Sequence, residues 1–67
     1  MNIRTFKSIV IRKGFKIDET EDFLIVFKKL NGKYVSGSFL KSKLNEFKLE
    51  TIEQDLYFME VELSENI

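Results

Sequence analysis

The sequence predicts an α+β domain in which an N-terminal helix packs on an antiparallel sheet of four to five strands. Three observations support this prediction. Apolar residues recur at helical spacing through residues 2–13, an Asn31-Gly32 pair separates two strand-like runs, and residues 56–63 alternate between two faces. A small all-β barrel, in which the N-terminal segment closes the sheet as a further strand, is the alternative architecture.

The N-terminal segment suits either a helix or a strand. Asn2 has a side-chain oxygen that can cap a helix, and Gly14 suits the helix end because glycine adopts the left-handed conformation there. Phe15 is then expected to fold back on the last turn. Residues 9–11 are β-branched, however, and such a run also favours a strand. The helix is preferred, and the strand stays open.

The middle of the chain predicts a hairpin. Asn31 and Gly32 tolerate the positive φ angles that a two-residue type I′ turn requires. Gly37, inside the returning strand, indicates a bulge or a close backbone approach. Further predictions are strands at residues 15–17, 22–29, 33–39 and 56–63, a helix or strand at 40–50, and fraying at 64–67.

The composition excludes several classes of function. The chain of 67 residues is short enough to be one domain, and it contains neither cysteine nor histidine, so disulfides and a structural zinc site are not expected. No phosphate-binding or catalytic motif occurs, so we expect a non-enzymatic protein without a metal or cofactor. Since neither a secretory leader nor a long apolar run is present, a cytoplasmic protein without a membrane span is expected.

The run Phe23-Leu24-Ile25-Val26-Phe27 is apolar on both faces of its predicted strand. One face is enough to build a core, and the other is exposed unless something covers it. The cover could be the 40–50 segment, a second copy of the chain or another protein. We expect Leu24 and Val26 to lie on this second face and to contact a protein partner, with a homodimer as a further possibility.

The charges divide along the chain. Residues 1–43 carry ten basic and four acidic residues, whereas residues 44–67 carry one basic and seven acidic residues. The acidic part could form a strip that contacts a basic protein partner, and its predicted contact residues are Glu50, Glu53, Asp55, Glu60 and Glu62. The same pattern also fits a solvated edge strand protected by charge, or two halves that neutralise each other.

The basic part suggests a nucleic-acid-binding protein as an alternative function. Lysines that neutralise phosphates surround an aromatic ring that could stack on a base, at Lys28, Lys29, Lys33 and Tyr34. The whole chain is neutral, with a pI of about 6.2, which is unlike the basic domains that usually bind nucleic acid.

The layout of residues 1–39 resembles a known group of proteins. A Met-Asn-Ile start, a helical stretch, "KGFKID", an apolar strand and "NGKYV" are similar to the front of small phage-encoded anti-CRISPR proteins. The resemblance implies a small inhibitor from a phage or mobile element, which binds a host or defence protein stoichiometrically. Those proteins are strongly acidic and this chain is neutral, so the resemblance transfers no binding residues.

Overall fold

The computed structural model describes residues 1–65 and shows an α+β fold. In chain order the elements are helix α1 (Ile3–Arg12), strands β1 (Lys16–Glu19), β2 (Phe23–Leu30) and β3 (Lys33–Leu40), a 3₁₀ helix (Lys41–Glu46) and helix α2 (Leu49–Ser64). The strands form one antiparallel sheet in the order β1-β2-β3. The fold class is therefore confirmed, but the predicted four to five strands and the barrel alternative are wrong for the described residues.

Both ends of α1 are capped as the sequence predicts. The Asn2 side chain accepts a hydrogen bond of 2.8 Å from the backbone N–H of Thr5. At the other end Gly14 has a φ of +87°, and the Phe15 N–H donates to the Val10 carbonyl at 3.1 Å. This is the hydrogen bond of a Schellman motif, and it brings Phe15 back onto the helix. The caps favour the helix over the strand.

The hairpin between β2 and β3 fixes which residues share a sheet face. Asn31 and Gly32 have φ angles of 52° and 80°, as a type I′ turn requires. Pairing continues without a bulge and places Val26 opposite Gly37. A Cβ atom on Gly37 would overlap the Cε of Met59 in α2, so this glycine serves a close approach between helix and sheet.

The C-terminal segment is a helix, which corrects the predicted strand at residues 56–63. Its buried or half-buried apolar residues Ile52, Leu56, Met59 and Leu63 are spaced by four, three and four residues. Leucine, methionine, glutamate and glutamine also favour helices. The undecided 40–50 segment forms the 3₁₀ helix and the first residues of α2. Ser64 ends α2, and residues 66–67, where fraying was also expected, lie outside the described residues.

Both helices pack on the same face of the sheet. Phe39 of β3 contacts Phe6 of α1 with ring centroids 5.0 Å apart, and Gly37, on the same face of β3, lies under Met59. The buried residues form one cluster in this layer: Phe6, Ile9, Val10, Phe15, Leu24, Val26, Val35, Phe39, Leu44, Ile52, Leu56 and Leu63. Neither helix of the described chain has the length and apolar character needed to cross a membrane.

Candidate functional site: the open face of the sheet

Leu24 and Val26 are fully buried, and this corrects their predicted position on an outer face. Both side chains point toward α1 and α2 and have no exposed surface. The chain's own helices thus provide the cover, rather than a second copy, another protein or the 40–50 segment alone. In the folded chain these two residues are core residues and cannot contact a partner directly.

The opposite face of the sheet carries the other half of the apolar run. Side chains alternate across a strand, so Phe23, Ile25 and Phe27 point away from the helices. On β3 the same face carries Tyr34 and Leu40, and Phe23 lies directly opposite Leu40. We call these five residues the open face. Tyr34, Phe23 and Leu40 expose 59%, 39% and 37% of their surface.

Polar residues border the open face: two lysines lie near the hairpin, and Asp18, Ser36 and Ser38 lie beside the apolar residues of β2. Lys16 is paired with Phe27, and Lys29 is paired with Tyr34, so both lysines point to this side of the sheet near the hairpin. The rings of Phe27 and Tyr34 lie 6.1 Å apart between them. A cleft of about 260 Å³ opens here, lined by Gly14, Lys16, Phe27, Lys28, Lys29 and Tyr34.

The four residues predicted to bind nucleic acid are divided between the two sides of the sheet. Lys29 and Tyr34 are on the open side, whereas Lys28 and Lys33 project toward the helices. The Nζ of Lys28 lies 5.0 Å from the centre of the Phe15 ring and 3.4 Å from a carboxylate oxygen of Glu60. Lys28 is therefore engaged within the fold. It still borders one cleft with Lys29 and Tyr34, whereas Lys33 lines a separate cleft beside Glu62.

The predicted acidic strip lies on α2 and is also divided. Glu53 is 3.7 Å from the Nζ of Lys13, and Glu60 contacts Lys28 as described above. Both carboxylates thus help to join the acidic helix to the basic first half of the chain. Glu50, Asp55 and Glu62 are exposed, and they form no ion pair with any residue of the described part of the chain.

Glu19 joins three elements at the other end of the sheet. Its carboxylate oxygens lie 2.6 Å from the Nζ of Lys7 in α1 and 2.7 Å from the Nζ of Lys41, which follows β3. Hydrogen bonds from Lys41 and Lys7 lower the pKa of Glu19 to about 2. Because the carboxylate accepts both bonds in its ionised form, this contact stabilises the junction of the three elements.

Within residues 1–65, no group of three or more histidine, cysteine, aspartate or glutamate side chains is arranged to hold a metal ion. Comparisons with protein-family models, with curated proteins and with solved structures find no match to the chain. The candidate site is therefore described by its own geometry alone.

Proposed function

We propose that the chain is a non-enzymatic protein-binding module that acts by stoichiometric binding, and that its contact surface is the open face. The supporting observation is the arrangement of five apolar side chains on the uncovered side of a sheet whose other side already has a complete core. An apolar centre with a polar rim is the usual anatomy of a protein interface. A target among host or defence proteins is what the resemblance to anti-CRISPR proteins implies.

The size of the open face favours a different protein over a second copy of the chain. β2 has eight residues, so it is about 27 Å long, and three strands are about 14 Å wide. Because β1 is only half as long as the other two strands, the face has a flat footprint of about 320 Å², whereas a stable interface buries about 800 Å² of accessible surface on each partner. A dimer formed through this face alone would be weak. A larger partner can contact the open face and the adjoining surfaces together.

The test compares two variants as bait in a capture experiment from bacterial lysate. Ile25→Glu places a charge at the centre of the open face, and Ser8→Glu places the same charge at an exposed position on α1. We expect a protein that is captured by the wild type and by Ser8→Glu but not by Ile25→Glu. Light scattering of the purified complex should then give a fixed stoichiometry. Equal capture by both variants would refute the open face as the contact.

Single-stranded nucleic acid is a second candidate ligand, favoured by the cleft near the hairpin. Two aromatic rings on a sheet face with a lysine on each side could stack bases and neutralise phosphates. Fluorescence anisotropy with a labelled oligothymidine at two salt concentrations tests this function. Binding should weaken steeply with salt and fail in Lys16→Glu and Lys29→Glu, while Lys48→Glu serves as the charge control. No binding at low salt eliminates this candidate.

A further inference from the structure

The two edges of the sheet differ in how they are protected against pairing with another strand. β1 has only four residues, and three of them are charged, at Lys16, Asp18 and Glu19. Short, charged edges of this kind resist strand addition. β3 has eight residues and is uncharged from Tyr34 to Leu40, and no proline interrupts it. Within residues 1–65 it pairs with β2 on one side only.

The hairpin determines which backbone groups of β3 point to the free edge. In a two-residue hairpin the closing pair, here Leu30 and Lys33, is hydrogen-bonded, and hydrogen-bonded pairs then alternate along the ladder. The odd-numbered residues of β3 therefore bond to β2. The N–H and C=O groups of Tyr34, Ser36 and Ser38 point outward, where an added strand can meet them.

Helix α2 gives this edge a specific chemistry. It runs antiparallel to β3, since Met59 lies over Gly37 and Leu63 lies beside Val35. Glu62 lines the cleft at the start of β3. Asp55 is two helical turns earlier on the same side of α2, and exposed Phe58 lies between the two carboxylates. A strand added at this edge would therefore meet the Asp55 carboxylate, the Phe58 ring and the Glu62 carboxylate in that order.

These charges disfavour a second copy of the chain as the added strand. If two β3 strands paired about a twofold axis, their α2 helices would lie side by side and antiparallel on one face. Asp55 of one copy would then approach Glu62 of the other, which shares its cleft with Lys33, and the two carboxylates would repel each other. The same carboxylates attract a strand that presents basic side chains.

We infer that the free edge of β3 receives an extended segment of the partner protein by strand addition, and that this segment is basic on its helix-facing side. This inference rests on the proposed protein-binding function and specifies the partner's contact segment. Asp55 and Glu62 are about 10.5 Å apart along the helix axis, and alternate residues of a strand are about 6.8 Å apart. Two basic residues four apart in the strand are about 13.6 Å apart, and their long side chains can converge on the two carboxylates, with an apolar residue midway against Phe58.

The experiment uses three synthetic peptides of about nine residues with alternating side-chain faces. One has lysine, valine and lysine at its third, fifth and seventh positions, the second has glutamate in place of both lysines, and the third is the lysine peptide with alternate backbone nitrogens methylated. Amide chemical shifts of the ¹⁵N-labelled protein report binding. We expect the lysine peptide to bind, and the other two to bind at least about tenfold more weakly.

Three protein variants and a control locate the peptide. Ser36→Pro removes an outward N–H and no bond to β2, so the fold should persist while peptide affinity falls about tenfold. Replacing both Asp55 and Glu62 with lysine should reverse the preference between the lysine and glutamate peptides. Ile25→Glu tests the open face separately, because Ile25 lies in the central strand and not at the β3 edge, and Ser8→Glu, at an exposed position of α1, is the control that should leave peptide binding unchanged.

Each other outcome refutes strand addition. Binding that survives both Ser36→Pro and backbone methylation would show that the edge is not used. Loss of peptide binding only in Ile25→Glu would place the peptide across the open face, which would preserve the proposed function without the edge. No binding at millimolar peptide also refutes the inference, as does a dimer in light scattering that Ser36→Pro converts to a monomer.

Discussion

Truncating two neighbouring residues of β2 distinguishes the core face of the sheet from the open face. Leu24→Ala and Ile25→Ala remove the same number of carbon atoms, but Leu24 is fully buried and Ile25 is half-buried on the uncovered side. Removing a fully buried leucine side chain to the β-carbon costs about 2–5 kcal/mol, because a cavity adds to the lost transfer energy. Ile25→Ala lowers the free energy of unfolding by about 1 kcal/mol, because the side chain that it removes is only half-buried.

The difference is large for a chain of 67 residues, whose free energy of unfolding is expected to be about 3–10 kcal/mol. In a domain of this size 1 kcal/mol corresponds to about 4–8 °C in Tm. Thermal unfolding followed by circular dichroism should therefore show a loss of at least about 10 °C for Leu24→Ala, or no folded state at all. Ile25→Ala should lose about 5 °C. An equal or larger loss for Ile25→Ala would refute the assignment of the two faces.

Three further predictions test the packing of the sheet. The pKa of Glu19 is lowered to about 2, so its contribution to stability is present above pH 4.5 and is lost as the pH falls toward 2. Between pH 4.5 and 2, the Tm of Glu19→Gln should therefore fall less than the Tm of the wild type. Gly37→Val should cost about 1–3 kcal/mol in chemical denaturation because Met59 must move, and less in a Met59→Ala background. Hydrogen exchange should be fast at the even-numbered amides of β3 and slow at the odd-numbered ones, and uniform protection would contradict the free edge.

Local signals predicted the first half of the fold well. Asn2 and Gly14 both act as helix caps, and Asn31-Gly32 forms the expected turn, because each depends on a few neighbouring residues and on backbone conformation alone. The C-terminal segment was predicted wrongly because its apolar residues fit two periods. Tyr57, Met59, Val61 and Leu63 alternate as they would in a strand, whereas Ile52, Leu56, Met59 and Leu63 follow helical spacing. Burial of the second set in the core selects the helix.

The sequence of the returning strand shows that Leu24 and Val26 belong to the core face, although they were predicted on the outer face. β2 itself gives no preference, since both of its faces are apolar at residues 23–27. The returning strand does, because Val35 and Phe39 alternate with Ser36 and Ser38, and a two-residue turn fixes their register. That register places Leu24 opposite Phe39, on the apolar face of β3. The serines mark the outer side. The position of α2 along the β3 edge, by contrast, depends on long-range packing that no local pattern reports.

Tyr34 connects the two surfaces inferred here. Its side chain belongs to the open face, and its backbone N–H and C=O point to the free edge. A partner strand that pairs with β3 would place every second side chain beside Tyr34 and so extend the open face sideways. The open face alone is smaller than a stable interface needs. Pairing at the β3 edge and contacts with α2 would supply the remaining area. A single partner that uses the open face, the edge and α2 therefore fits better than a ligand for any one of them.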